Sequence, residues 1–201
     1  MFRAAFICVF LTLYILILGP PLLIYTVLTK NPTPLYWTAL KGVLFFVRAV
    51  GVRIRVKGTE RIPKGTVIFA ANHTSAADAP AVVGAIPRRI AILLKRSLFG
   101  YPIVGQAFHL AQFIPVDRAD RDSAIVSLEK ATEAIKSGQS FLIYPEGTRS
   151  PDGRLQEFKK GTAVMAIKAG VPLVPRLALR RVHHDFTLHL LAHMLILTSV
   201  S

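Results

Sequence analysis

Cysteine is all but missing from this 201-residue chain. The single Cys8, set in an apolar run, excludes a disulfide framework and a cysteine-built zinc site, and reads as inert packing. Charge is sparse as well, at 18% of residues against 52% hydrophobic. With a mean hydropathy of +0.47, this excludes intrinsic disorder and is too apolar for an ordinary soluble domain, so part of the chain meets lipid. Acidic residues are the scarcest charged class, 11 Asp and Glu against 25 Lys and Arg, a net +14. A partner carrying phosphates is expected: nucleic acid, an anionic membrane or a small phosphorylated molecule. No internal repeat or low-complexity tract occurs, and the length suits one domain with a proper core.

Charge is absent altogether between Arg3 and Lys30. As a helix that stretch would run about 39 Å, more than the roughly 30 Å of bilayer hydrocarbon. A membrane segment is expected, kinked or folded back into a hairpin at Gly19-Pro20-Pro21, because proline removes a backbone donor and clashes with the preceding turn. No small-x-small cleavage pattern follows, so a retained anchor is favoured over a secretory signal. Arg3 precedes the span, whereas Lys30, Lys41, Arg48, Arg53, Arg55 and Lys57 follow it. That asymmetry predicts an integral membrane protein whose bulk faces the cytoplasm. A second apolar stretch, 36–50, opening on Tyr36 and Trp37, suits either an interfacial helix or an ordinary core helix.

Beyond Arg53, short continuous apolar runs alternate with helical patterns, the mark of an α/β domain whose sheet is covered on both faces. Strands are predicted at 66–71, 90–94, 112–116, 141–144 and 172–174. Helices are predicted at 123–137, stopped by Gly138, and at about 162–169, closed by Gly170. Strands that end in polar clusters set those clusters along one rim of the sheet, where such folds hold ligands.

Asn72-His73-Thr74-Ser75-Ala76-Ala77-Asp78 follows the first of these strands. His73 and Asp78 stand five apart, which on a continuous helix would turn them about 140° from each other. At a strand-to-helix junction, however, Asp78 can fix the imidazole tautomer and leave the other nitrogen free as a general base. Alternatively, Asp78 caps the following helix and His73 is a satisfied polar group at a strand end. Pro145-Glu146-Gly147-Thr148-Arg149-Ser150 follows the strand at 141–144. Gly147 permits close backbone approach, Arg149 presents a fork matched to phosphate, and Glu146 would orient a cation or a substrate hydroxyl. The same residues also make a good turn into Pro151-Asp152-Gly153. Arg118 comes just past the strand at 112–116, and Lys159-Lys160-Gly161 precedes a helix. Each alone is ordinary surface charge, but cations recurring at successive strand ends favour an anion site.

In content and order these blocks resemble the 1-acyl-sn-glycerol-3-phosphate acyltransferases, or lysophosphatidic acid acyltransferases, among the glycerolipid acyltransferases. Asn72-His73 with Asp78 looks like the family's histidine-and-aspartate motif, and residues 113–118 look like its arginine-bearing second block. Glu146 to Ser150 is similar to the third block, Val171-Pro172-Leu173-Val174-Pro175 to the fourth, and residues 158–161 to the basic stretch before it. Lys95 fits a basic position near the acceptor phosphate. The resemblance implies a glycerolipid-acyltransferase-like sheet covered by helices, preceded by an N-terminal membrane helix or helical hairpin. It implies acyl transfer from a coenzyme A or acyl carrier protein thioester to the sn-2 hydroxyl of lysophosphatidic acid, giving phosphatidic acid. His73 and Asp78 would be catalytic, while Lys95, Arg118, Glu146, Gly147, Thr148, Arg149 and Lys160 would hold the substrate. No cofactor or metal is implied; the thioester is a co-substrate. The expected partners are membrane lipids, lysophosphatidic acid and the acyl donor, at the inner membrane or endoplasmic reticulum. Nucleic acid is not expected, since few aromatics interleave with the basic residues. Cys8 lies in the membrane segment and no G-x-S-x-G elbow is present, in keeping with direct attack without an acyl-enzyme.

The expected division is a membrane anchor and interfacial helix at 1–52, the acyltransferase domain at 53–175, and a divergent, shortened tail at 176–201. After Pro175 the match fails: Arg176, Arg180, Arg181, His183 and His184 intervene. The apolar stretch 186–200 is expected to cover the sheet or touch the membrane. His189 and His193 stand four apart but lack an acidic partner, so no metal is assigned to them. The alternative reading is a truncated, non-catalytic membrane protein that binds lysophospholipid or regulates a full-length acyltransferase.

Overall fold

A computed structural model describes residues 2–49, 51, 53–75, 77–117, 119–181 and 193–198. In chain order these form α1 (Phe2–Thr29), α2 (Thr33–Ala49), β1 (Arg53–Lys57), β2 (Ile68–Ala71), α3 (Asp78–Ala85), β3 (Ala91–Lys95), α4 (Val104–Leu110), β4 (Ile114–Val116), α5 (Arg121–Lys136), β5 (Phe141–Ile143), α6 (Gly161–Ala169), β6 (Leu173–Arg181) and β7 (His193–Thr198). The seven strands make one sheet in the order β1-β7-β6-β2-β5-β3-β4. Its five-strand centre, β6-β2-β5-β3-β4, is parallel throughout. β7 adds antiparallel to β6, and β1 pairs parallel with β7.

Both faces of the central strands are covered, which is why they are apolar without alternation. On one face Phe69, Ala71, Leu142 and Tyr144 pack with Tyr36 and Leu40 of α2 and Ala81 and Val82 of α3. On the other, Ile68, Phe141 and Ile143 pack with Ala131 and Ile135 of α5 and Met165 of α6. α2 is tied to the sheet by the Tyr36 hydroxyl, which donates to the Ile90 carbonyl at 3.2 Å and accepts from the Ile90 N–H at 3.1 Å. Burial pushes the Tyr36 phenol above its ordinary pKa of 10, against the opposing Ile90 hydrogen bond and the Arg89 charge.

α1 is one continuous helix through Gly19, Pro20 and Pro21, and residues 5–29 are long and apolar enough to cross a membrane. The fold-back allowed at Gly19-Pro20-Pro21 does not occur. Two prolines remove two donors, yet their fixed φ is helical, and long apolar flanks on both sides carry the helix through. α2 packs against α1 at Gly42, where a Cβ would lie 2.5 Å from the Tyr14 ring, and the Tyr14 hydroxyl donates to the Thr38 carbonyl at 2.8 Å.

The expected strands are all present, with shifted ends. The run expected to stop at 174 continues to Arg181, because pairing with β2 on one side and β7 on the other carries the backbone past the arginines that read as a break. Within the expected tail, His193–Thr198 is strand β7; residues 182–192 and 199–201 lie outside the described residues. β1, not foreseen, has a legible signal: Ile54 and Val56 alternate with Arg53, Arg55 and Lys57.

Candidate active site

The site is assembled by two neighbouring parallel strands. β2 and β5 pair Ile68 with Phe141, Phe69 with Leu142 and Ala70 with Ile143. The histidine block leaves the C-terminal end of β2 and the Glu146 block that of β5, so residues 73 positions apart in sequence arrive side by side at one rim of the sheet.

The chain bends at once after Ala71, and α3 starts at Asp78. That bend brings His73 Nδ1 to 3.2 Å from Asp78 Oδ2, with Asp78 only 2% and His73 9% exposed. The same Oδ2 accepts from the Thr74 and Ser75 N–H groups, each at 2.6 Å. Asp78 therefore organises the turn before α3 and holds the imidazole edge; the cap of α3, Ala77, makes no side-chain bond. One face of the ring is covered by Tyr144, with centroids 4.0 Å apart and planes 18° apart.

Glu146 is 2% exposed. Its Oε1 accepts from the His73 backbone N–H at 3.1 Å, and the Ser150 N–H donates to the His73 carbonyl at 2.8 Å. Gly147, at φ +74°, closes a turn in which its N–H donates to the Tyr144 carbonyl. The Lys159 side chain lies over that turn: a Cβ on Gly147 would sit 3.0 Å from Lys159 Nζ. Thr148 and Arg149 are exposed at the tip. Beyond them the Arg154 N–H and the Ser150 hydroxyl, both bonded to Asp152 Oδ1, hold the Asp152 carboxyl below the usual carboxylate range.

The remaining expected contacts are spread along the same rim. Lys95 closes β3, exposed and in register with Val116 at the end of β4. Arg118, two residues further on, lies outside the described residues. Lys160 precedes the first residue of α6 and is exposed. From sequence, Lys159 stood only beside Lys160 as a cation before a helix and Ser150 only as the end of the Glu146 block, while Tyr144 was just the last residue of a strand. The offset between β2 and β5 would have found Tyr144, because it sets Tyr144 opposite Ala71, but only once those strands were known to be neighbours. Behind the Tyr144-Pro145 segment lies a cavity of about 140 Å³, walled by Leu93, Val116, Leu128 and Ile143, with Gly147 and Lys159 among its lining residues. An apolar recess with a cation in its lining suits a chain-bearing molecule with an anionic head. Among the described residues, no cluster of His, Cys, Asp and Glu has the makings of a metal site.

The chain is 35% identical over 142 residues to a 1-acyl-sn-glycerol-3-phosphate acyltransferase of Limnanthes douglasii, covering 70% of this chain and 50% of that protein. It is 34% identical over 126 residues to the enzyme of the same name from Pseudomonas aeruginosa, covering 62% and 49%. The chain thus spans about half the length of the curated relatives it matches. The crystal structure of the 1-acyl-sn-glycerophosphate acyltransferase PlsC from Thermotoga maritima superposes with a TM-score of 0.75, over 98% of this chain and 83% of that one, at 24% identity; it shares the fold. Residues 53–178, from β1 into β6 and including every strand end described above, match the Acyltransferase family model, and the chain belongs to that family.

Proposed function

We propose that this chain transfers a fatty acyl group from a coenzyme A or acyl carrier protein thioester to the sn-2 hydroxyl of 1-acyl-glycerol-3-phosphate, at a membrane surface. The observation that carries the reading is the buried His73–Asp78 pair at the same strand ends as the Glu146–Arg149 loop. Asp78 bonds Nδ1, which leaves Nε2 to accept the hydroxyl proton. The freed oxygen attacks the thioester carbonyl carbon, the C–S bond breaks, and the thiolate leaves with the proton that His73 returns. Lys95, Arg118, Thr148, Arg149 and Lys160, with Gly147 letting the backbone approach, would hold the glycerol phosphate. Glu146 stands among them by position. The apolar recess behind Tyr144 would take part of an acyl chain, and α1 would keep the rim at the bilayer, since the acyl chains of substrates and product prefer lipid over water. The charge asymmetry around α1 favours the cytoplasmic side.

The test is product formation by the purified protein from labelled acyl-CoA and lysophosphatidic acid, in detergent and in vesicles. His73→Ala should lower kcat/KM by about 10²- to 10⁴-fold while the protein stays with the membrane fraction. Unchanged turnover would remove His73 as the base. Absence of any product, with lysophosphatidic acid still bound, would leave the non-catalytic binder in its place.

A further inference from the structure

We propose that Glu146 is a positioning residue for His73, gripping the histidine's main chain so that the imidazole edge stays on Asp78. The inference rests on the reading of His73 as the base. The last paired residues of β2 and β5, Ala70 and Ile143, are 73 positions apart, and His73 and Glu146 keep that offset. Past the paired region a side chain takes over from the backbone: where the next residue of the ladder would supply a carbonyl, Glu146 Oε1 accepts the His73 N–H at 3.1 Å. The Ser150 N–H takes the His73 carbonyl at 2.8 Å. Both polar groups of the His73 main chain are thus held by one loop, the loop that also carries Gly147 and Arg149.

Burial argues the same way. Glu146 is 2% exposed, and its Oε2 has no hydrogen-bond partner among the described residues. Burying a carboxylate with one oxygen uncompensated is costly. A phosphate ligand has no use for it, because carboxylate and phosphate repel. A charge-assisted acceptor is about twice as strong as a neutral one, so Glu146 supplies a stiffer grip on His73 than a carbonyl would. His73 is then fixed from three sides: backbone by Glu146 and Ser150, ring edge by Asp78, ring face by Tyr144.

The experiment compares Glu146→Ala with Glu146→Gln in the full chain. Gln keeps an acceptor oxygen and Ala does not. Expected for Ala is a fall in kcat of about 10²-fold, with the KM for lysophosphatidic acid within about threefold of wild type; Gln should recover kcat to within about tenfold. A tenfold rise in that KM with kcat held, in either variant, makes Glu146 an acceptor ligand and overturns the proposal. So does a Gln variant as slow as Ala. If Ala does not fold, the Gln variant decides by the same two limits. ¹⁵N spectra of histidine separate this from the proposed activity, since they need no turnover. His73 should be the Nδ1-protonated tautomer in wild type and Gln, and a tautomer mixture in Ala. An unchanged tautomer in a folded Ala variant overturns the grip even where the protein proves inactive.

Discussion

Tyr144 covers the face of the His73 imidazole at a centroid distance of 4.0 Å and also lines the apolar recess behind the rim. One residue therefore borders both the group proposed to take the proton and the space proposed to take the acyl chain. Stacked rings contribute about 0.5–1.5 kcal/mol beyond their buried area, equivalent to a two- to tenfold effect if the stack is needed to orient the base. Tyr144→Leu, which fills the volume without a flat face, should lower kcat/KM by about tenfold. Phe should lose less than Leu. Steady-state kinetics on both variants check this; equal losses would show that the face contact plays no part.

Asp78 Oδ2 accepts three hydrogen bonds, from the His73 ring and from the N–H groups of Thr74 and Ser75. Asp78→Asn keeps the shape but gives up the charge, and its amide must turn either its oxygen or its nitrogen to that convergence. Expected is a loss in kcat/KM of about 10²-fold or more. Thermal unfolding of the same variant should also fall, because hydrogen bonds to a charged group each contribute roughly 1.5–3 kcal/mol. A variant that keeps its turnover would place Asp78 in the turn alone, the capping alternative left open by its spacing from His73.

How much of this was legible before the structure follows from what kind of signal each feature leaves. The central strands are continuous apolar runs ending in polar clusters, and both the order of the blocks and their common rim follow from that pattern. His73 facing Asp78 needed only a bend, which a strand-to-helix junction provides. The grip of Glu146 on His73 was not legible, because it depends on β2 and β5 being neighbours in one particular register, and the sequence carries strands but not their pairing. Nor could adjacent lysines be told apart. Lys159 turns over Gly147 because its N–H donates to the Pro145 carbonyl at 2.9 Å, whereas Lys160 is already at the start of α6. The sequence left two forms open for α1, one helix or a hairpin at Gly19-Pro20-Pro21, because the donor penalty of proline is local and does not by itself decide between them; the structure has the single helix.

Tyr36 offers a test of how α2 is fastened. Its hydroxyl satisfies both the N–H and the carbonyl of Ile90 in a buried setting. Tyr36→Phe leaves both unpaired, at an expected cost of about 1–3 kcal/mol, read as a lower Tm at neutral pH. The pH dependence has a definite sign. Because the folded-state pKa is raised above 10, the native chain holds the phenol proton more tightly than the unfolded chain. That contribution is complete below pH 10 and is lost as pH climbs through the folded value. The gap between wild type and Tyr36→Phe should therefore narrow in alkaline denaturation curves; a constant gap would mean the phenol stays protonated or exposed in both states.

The two lysines before α6 separate a ligand from a bystander. Both are exposed, but Lys159 lies across the Gly147 turn, within 3.0 Å of where a Cβ would sit, whereas Lys160 stands at the helix start. On the proposed reading, a phosphate seated against the Gly147–Arg149 backbone meets the Lys159 ammonium first. One charge-assisted contact contributes about 1.5–3 kcal/mol, so Lys159→Ala should raise the KM for lysophosphatidic acid by about tenfold or more. Lys160→Ala should change it by no more than about threefold, the range of an exposed cation near an anion. Gly147→Ala should reproduce the Lys159 effect, since the new methyl displaces the ammonium and φ +74° strains any side chain placed there. Lys160→Ala proving the more damaging would show that the anion seats toward the N-terminus of α6 instead, away from the glycine turn.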